Sequence, residues 1–212
     1  MSSFPAIRTS ALRRSVADIL RTALLDGHFA PGVELSDSAL AKQFSVSRGP
    51  VREALLLLAE EGLVTHQHNR GFEVPRLTQE TLAQISQVRR PLEVLALEWA
   101  RPRVGDAEIQ RLIELKADLL RAFRSGGIFV CATPDFAFHS AVWEYSGNPW
   151  LQAALRRISM PYFAYVSAFH LGRPDHSEDL MDQMHQRYID FLAGRSAESA
   201  DECVQFHLGY EA

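Results

Sequence analysis

The chain has 212 residues, enough for one large domain or two modest ones, and two domains are the better starting hypothesis. Hydrophobic residues make up 47% and charged residues 23% of the chain, which excludes a disordered protein and predicts a packed core. The net charge of -4 excludes a uniformly basic nucleic-acid-binding chain, but residues 1–75 carry eight basic and eight acidic side chains, so one face of this part can still be basic.

No apolar run approaches the roughly 20 residues that a membrane-spanning helix requires, and residues 1–10 lack the apolar segment of a secretory signal. We therefore expect a cytoplasmic protein with no membrane partner. Cys131 and Cys203 belong to no CxxC pattern, so we predict two buried thiols rather than a zinc ribbon or a disulfide scaffold.

Three helices are predicted at the start of the chain. Apolar residues recur at three- and four-residue spacing between Leu12 and Leu25, which is typical of a helix with one buried stripe that includes Leu12 and Ile19. Turn-forming residues follow, and Ser36 can cap a short second helix. After a tight connection, a third helix is predicted to begin near Arg48.

The predicted third helix has two unlike faces. Apolar residues between Val51 and Leu58 point inward, whereas Arg48 and Arg52 lie one turn apart and project from its leading end. An arginine pair is often only a solvated helix face. In a helix-turn-helix, however, the leading turn of the second helix of the motif enters the major groove, where guanidinium groups bond guanine edges or phosphates.

A hairpin is predicted directly after this helix. Residues 63–74 read as a strand, a polar turn and a strand, and the turn carries His68 and Arg70. Three helices followed by a hairpin with a cationic tip predict a winged helix-turn-helix with a two-stranded wing, over residues 1–75.

Helical periodicity dominates the remainder, residues 76–212. Turn-forming segments near residues 101–105, 125–127, 146–149 and 171–174 divide it into about six helices, which predicts an antiparallel all-α bundle. The connection between the two parts is short, so we expect the domains to be closely coupled. The predicted fold class is mainly α.

Four polar residues do not fit a purely apolar bundle core. Asp135 and His139 are spaced i, i+4, which places both on one helix face and lets them share a metal ion. His185 and His207 each lie beside an apolar stripe, so the four side chains can converge inside the bundle. Imidazoles suit zinc, nickel, iron or copper, and the carboxylate adds manganese. Histidines beside an apolar face are more often hydrogen-bonded core residues, so the spacing leaves both interpretations open.

Several motifs in the first part are shared with a known family. They are Gly27-His28-Phe29-Ala30-Pro31-Gly32, Phe44-Ser45-Val46-Ser47-Arg48-Gly49-Pro50-Val51-Arg52-Glu53-Ala54-Leu55, Glu61-Gly62-Leu63-Val64 and Gly71-Phe72-Glu73-Val74. Residues 12–74 thereby resemble the GntR family of bacterial transcriptional regulators. The resemblance implies a homodimer that binds operator DNA. It also implies DNA contacts at Ser47, Arg48, Gly49, Arg52, His68 and Arg70.

Motifs in the second part carry a further resemblance. Asp135-Phe136, Phe138-His139, Ser146-Gly147-Asn148-Pro149, Tyr188-Ile189 and His207-Leu208 are similar to the ligand-sensing FCD domain of the FadR-like branch, over about residues 80–208. The resemblance implies a divalent transition metal, foremost zinc or nickel, held by Asp135, His139, His185 and His207.

Arg89 matches an arginine that this domain often directs into the same pocket. A guanidinium near a metal with an open position favours a small carboxylate effector. The alternative for Arg89 is a surface or interdomain salt bridge with a nearby acid.

Three functions are compatible with these sequence patterns. The leading hypothesis is a ligand-responsive DNA-binding regulator. A metal-dependent enzyme is disfavoured because no nucleophile motif exists and Glu144, the nearest candidate base, is a lone acid on a helix, so no catalytic residues are predicted. A DNA-binding protein without an effector would leave the polar constellation unexplained.

Overall fold

The computed structural model describes residues 10–67, 71–169 and 177–208. The first part of the chain contains α1 (Ser10–Leu25), β1 (Glu34–Leu35), α2 (Asp37–Phe44), α3 (Arg48–Glu60), β2 (Thr65–Gln67) and β3 (Gly71–Glu73). The second part contains α4 (Gln79–Ala100), α5 (Asp106–Gly126), a short 3-10 helix (Gly127–Val130), α6 (Ala132–Tyr145), α7 (Pro149–Phe169), α8 (Glu178–Leu192) and α9 (Ala200–Leu208).

The helix-turn-helix is built by local signals. The hydroxyl of Ser36 accepts a hydrogen bond from the backbone amide of Ala39 and so caps α2, as predicted. Ser45 then adopts a left-handed conformation with φ of 56°, which turns the chain sharply between α2 and α3. This turn sets the exposed start of α3 at the surface of the domain.

The wing differs from its prediction by one strand. The three strands form an antiparallel sheet in the order β1-β3-β2, in which Leu35 pairs with Phe72 and His66 pairs with Phe72 from the other side. The sequence predicted β2 and β3 only. β1 has two residues, too few for an alternating pattern to appear in the sequence.

The core of the first part confirms the inward face of α3 and corrects that of α1. The four predicted α3 residues are fully buried: Val51, Ala54, Leu55 and Leu58. On α1 the buried residues include Val16 and Leu20, whereas Leu12 and Ile19 are 42% and 55% exposed. The prediction for Leu12 and Ile19 was wrong because the contact stripe is narrower than the apolar pattern.

The second part is the predicted helical bundle, with six α-helices among the described residues. Helix α5 packs against α6 and α8, and α4 packs against α6, α7 and α9. Cys131 and Cys203 are buried and do not form a disulfide, as predicted, and burial raises the pKa of the Cys131 thiol to about 12. Within the described residues, no helix is both long enough and apolar enough to cross a bilayer.

The two parts share one hydrophobic cluster, which runs from Leu20 and Leu55 to Trp143 and Phe163. Polar contacts reinforce it, since Thr133 donates a hydrogen bond of 3.0 Å to the Asp26 carboxylate at the end of α1. Close coupling of the two parts was expected from the short connection, and this continuous cluster agrees with it.

Candidate functional site

The leading turn of α3 presents a cationic surface. Arg48 and Arg52 have side chains 67% and 52% exposed, and Ser47 and Gly49 beside them are also exposed. Ser47 lies at the N-cap but makes no side-chain capping hydrogen bond, and a methyl group added at Gly49 would meet nothing within 4 Å. The structure therefore brings four of the six sequence-predicted DNA contacts together on one open surface.

Asp37, which sequence reasoning missed, lies between the two arginines. Its carboxylate accepts hydrogen bonds from Arg48 at 2.9 and 3.2 Å, and from Arg52 at 3.4 Å. The Asp37 side chain is only 11% exposed, so α2 holds both guanidinium groups from beneath while they stay open to solvent. An acid in the first turn of a helix is common for reasons of helix polarity alone, so no sequence signal singled out Asp37.

The other two predicted DNA contacts, His68 and Arg70, lie outside the described residues. The base of the wing is described, and it touches α3. The Arg52 guanidinium carbon lies 5.8 Å from the centre of the Phe72 ring. The His66 ring of β2 stacks on the same Phe72 ring, with the two ring centres 4.6 Å apart. The wing and the leading turn of α3 therefore form one continuous surface.

A cluster of buried imidazoles lies inside the bundle. His139 of α6, His185 of α8 and His207 of α9 are each at most 2% exposed, and their ligand atoms all lie within 4.8 Å of one another. The Nε2 atoms of His139 and His207 are 3.1 Å apart. Asp135 Oδ1 lies 2.8 Å from His185 Nε2 and 3.6 Å from His139 Nε2. All four residues predicted as metal ligands are thus brought together.

The hydrogen bonds of His185 test whether a cation fits this cluster. Its Nδ1 lies 2.8 Å from the Met181 carbonyl oxygen, which can only accept, so the network assigns the proton to Nδ1. In the neutral ring, Nε2 then carries no proton, and its lone pair faces the Asp135 carboxylate. Two acceptors at 2.8 Å require a proton or a metal ion between them, so the donor set suits a cation.

Lowered pKa values keep the other two histidines, His139 and His207, in the neutral form. Burial lowers the pKa of His139 well below its usual value, and the neighbouring His207 and Arg89 lower it further. Burial likewise lowers the pKa of His207, with His185 and Arg89 acting in the same direction. Neutral imidazoles with free lone pairs are the form that binds transition metals.

Arg89 shares this interior. It is 1% exposed, its Nε donates a 3.0 Å hydrogen bond to Glu93 one turn along α4, and its guanidinium carbon lies 4.9 Å from the Phe163 ring centre. Its charge is close enough to lower the pKa of His139 and His207. The salt bridge considered for Arg89 exists, but it is buried and lies within one helix rather than at the surface or between domains.

Glu93 is a second residue that sequence reasoning missed. It is fully buried, accepts a 2.8 Å hydrogen bond from the Trp143 indole, and lies 3.7 Å from His139 Nδ1 through its other oxygen. Burial raises the pKa of Glu93, although the charge of Arg89 opposes the rise. Glu93 therefore hydrogen-bonds to Arg89 and Trp143 and lies beside His139 without bonding to it. The i, i+4 spacing from Arg89 was visible in the sequence and could have indicated the pair.

A winged helix-turn-helix with an exposed arginine pair, joined to a helical bundle with a buried polar cluster, defines a DNA-binding transcriptional regulator. Residues 12–74 match the family model described as bacterial regulatory proteins, gntR family, and residues 84–210 match the FCD domain model. The chain therefore belongs to the gntR family of transcriptional regulators and carries an FCD domain.

Individual relatives agree with this assignment. The Nta operon transcriptional regulator of Aminobacter aminovorans is 33% identical over 186 residues, covering 86% of this chain and 83% of that protein. The transcriptional repressor RspR of Escherichia coli K12 is 30% identical over 209 residues, covering 94% and 87%.

Solved structures share the fold. A GntR regulator from Rhodococcus sp. RHA1 superposes with a TM-score of 0.74 at 27% identity, covering 95% of this chain and 94% of that one. McbR/YncC of E. coli gives a TM-score of 0.77 at 24% identity, covering 100% and 96%, and supports the fold alone. Because the family and these relatives are regulators, the enzyme alternative is excluded and the helix-turn-helix binds DNA.

Proposed function

We propose that the chain is a homodimeric regulator in which residues 1–75 bind operator DNA and residues 76–212 sense a small carboxylate through a divalent metal. The observation that carries this proposal is the convergence of Asp135, His139, His185 and His207 at one buried point. Burying three imidazoles beside a carboxylate costs free energy that apolar side chains would not cost, so their convergence favours a ligand-binding role over packing alone.

Asp135 and the three histidines would hold the ion, with zinc or nickel the best suited to three imidazoles and one carboxylate. A bound ion would supply a Lewis-acid position for an effector carboxylate. Around it, His185 is oriented by its hydrogen bond to the Met181 carbonyl, and His139 Nδ1 faces Glu93 at 3.7 Å. The hydrogen bond of His185 is of the kind that fixes the orientation of a metal-binding imidazole.

Arg89 is the residue we assign to the effector carboxylate. Its guanidinium is buried beside the cluster, where a bidentate ion pair is strong because water is excluded. Glu93 already accepts from Arg89 Nε and so fixes the orientation of the guanidinium. An effector would thus meet an arginine that is already in place, and recognition would be selective for a carboxylate over a neutral analogue.

The proposed DNA surface consists of Ser47, Arg48, Gly49 and Arg52, with His68 and Arg70 from the wing. A single helix and wing bury too little surface for high specificity, whereas a two-fold dimer reads two half-sites. Dimerisation is therefore part of the proposal, and sedimentation analysis in the presence and absence of DNA measures it.

Metal content tests the sensing site. Wild-type protein reloaded with zinc or nickel and then desalted should retain about one ion per chain by elemental analysis, whereas His139→Ala should lose most of it. His28→Ala removes an exposed histidine outside the cluster and is the matched control, which should retain the ion. Wild-type protein that holds no ion after reloading would overturn the metal site.

A thermal-shift screen of small carboxylates, run on metal-loaded wild type and Arg89→Gln, tests the effector. We expect a shift in wild type that depends on Arg89 and on the ion. Metal binding without any carboxylate response would instead favour a regulator that uses the ion structurally.

A further inference from the structure

A cavity lies between the two parts of the chain, apart from the histidine cluster. It is an open cleft of about 550 Å³ lined by residues of α1, α5, α6 and α7. Its volume falls in the range of small-molecule sites, roughly 300 to 1,000 Å³, and such sites favour the junction between domains. None of Asp135, His139, His185 and His207 lines the cleft.

The cleft has an apolar wall and a polar rim. Leu25, Leu115 and Phe136 supply apolar surface from three different helices. Hydroxyl groups border this surface, among them Thr22 of α1 and Ser140 of α6, and two carboxylates also line it, Asp18, which pairs with Arg21, and Glu144. A few polar groups around an apolar wall are typical of sites for organic molecules with one charged end.

Arg156 is distinguished among the arginines of the cleft by its partners. Arg21 is neutralised by Glu61 at 2.7 Å, and Arg111 lies 3.4 Å from Glu114. Arg156 has no carboxylate within 4.0 Å in the described part of the chain. It is partly buried, donates to the Ser140 hydroxyl at 3.3 Å, and lies over the Phe136 ring at 5.0 Å.

The surroundings of Arg156 disfavour its charge. Burial lowers its pKa, and Glu61, which would raise it, is already engaged by Arg21. A partly buried cation that no carboxylate contacts gains more from a bound anion than an exposed cation does, because less solvation is lost on pairing and the local dielectric is lower.

We propose that this interdomain cleft is a second binding site, for an amphipathic organic anion whose charged group pairs with Arg156 while its apolar body lies against Phe136 and Leu115. The site goes beyond the metal-dependent sensing function and does not depend on it. Its occupant would touch α1 of the DNA-binding part together with α6, the helix that carries Asp135 and His139.

The test uses two fluorescent probes of nearly the same shape, 1-anilinonaphthalene-8-sulfonate and its uncharged analogue N-phenyl-1-naphthylamine. Each probe is titrated into two preparations of the full-length protein, one loaded with metal and one treated with a chelator, and binding is followed by fluorescence. We expect the sulfonate to bind at one site per chain with or without metal. Arg156→Gln should weaken sulfonate binding by about tenfold to 100-fold, the range for a hydrogen bond to a charged group, and should leave binding of the uncharged analogue unchanged.

Arg101→Gln is the matched control, because Arg101 also lies over a phenylalanine ring, Phe191 at 4.6 Å, but outside the cleft. It should bind the sulfonate like wild type. Arg156→Lys, which keeps the charge, should recover part of the affinity and serves if Arg156→Gln fails to fold.

Three outcomes would overturn the proposal. They are equal sulfonate affinity in wild type and Arg156→Gln, an equal loss for both probes in that variant, and loss of sulfonate binding in His139→Ala. The last result would place the anion in the histidine cluster instead. A cleft that binds the sulfonate in protein without metal would stand even if the metal-sensing proposal failed.

Discussion

At the scale of single residues, the two arginines proposed to contact DNA are held in place in the free protein. Asp37 contacts both Arg48 and Arg52, yet both guanidinium groups remain more than half exposed. The rotamer entropy of a long side chain is lost when it binds, so holding it beforehand lowers the cost of association. The same carboxylate also repels phosphates, so it should favour contacts to base edges over contacts to the backbone.

Arg52→Ala is expected to weaken binding to a duplex selected with the wild-type protein by about tenfold to 100-fold, since one good guanidinium contact to a base is worth about 1 to 3 kcal/mol. Fluorescence anisotropy at fixed salt measures the change. Arg121→Ala removes an arginine that is 65% exposed on α5 and serves as control. Equal affinity of Arg52→Ala and wild type for this duplex would remove Arg52 from the interface.

Asp37→Asn is expected to tighten binding to random duplex DNA and to make that binding more sensitive to salt. The carboxylate offsets about one of the two guanidinium charges, so its removal should steepen the slope of log affinity against log salt by about 0.9. Asp18→Asn, which removes a 70% exposed acid on α1, should leave the slope unchanged. An unaltered slope in Asp37→Asn would show that Asp37 does not compete with phosphates.

At the scale of elements, α7 of the bundle supports the end of α3. Arg157 donates a hydrogen bond to the carbonyl of Glu60, the last residue of α3. Gly62, just beyond, has φ of +82°, and a Cβ atom built there would lie 2.9 Å from Pro161 Cγ. The end of α3 therefore packs closely against α7, and the left-handed backbone and short distance at Gly62 favour glycine there.

Gly62→Ala should therefore lower the free energy of unfolding by about 1 to 2 kcal/mol, from the left-handed backbone alone, and by more if Pro161 cannot move. Gly49→Ala is the matched substitution. Gly49 is helical and has open space around it, so alanine there should be neutral or stabilise by up to about 1 kcal/mol. Chemical denaturation measures both, and equal stabilities for the two variants would contradict the close fit at Gly62.

The same elements show what sequence patterns can and cannot predict. The helices and the Ser36 cap follow from local periodicity and capping chemistry, which neighbours along the chain determine. β1 cannot be predicted from local patterns, because its two residues form a strand only by pairing with β3. The exposure of Ile19 is likewise decided by where the packing partners of α1 end, which no local pattern contains.

For polar side chains, the sequence predicts which residues are present but not which of them meet between helices. The residue types of the histidine cluster were visible in the sequence, and the structure brings all four together. Asp37 and Glu93 were missed because their importance comes from contacts with residues of other helices. Spacing indicates which side chains share a face of one helix, but it cannot indicate which buried acid will meet them from another.

At the scale of the whole molecule, the buried histidines link stability to pH in the metal-free protein. His207 titrates near pH 6.5 in an unfolded chain, and burial lowers its pKa in the folded chain. The unfolded chain then binds a proton that the folded chain does not bind. The stability contributed by the neutral ring is present above about pH 6.5 and is lost as the pH falls through the folded pKa. Glu93 acts in the opposite direction in acid, because its pKa is raised.

A comparison of variants isolates the histidine contribution. As the pH falls from 6.5 to 5.5 in the presence of a chelator, wild type should lose about 1 kcal/mol of unfolding free energy relative to His207→Asn, which has no such proton to exclude. His28→Asn, which removes an exposed histidine, should keep the wild-type dependence. Parallel pH profiles for wild type and His207→Asn would show that His207 takes up a proton in the folded protein as readily as in the unfolded chain, which would contradict a buried neutral ring.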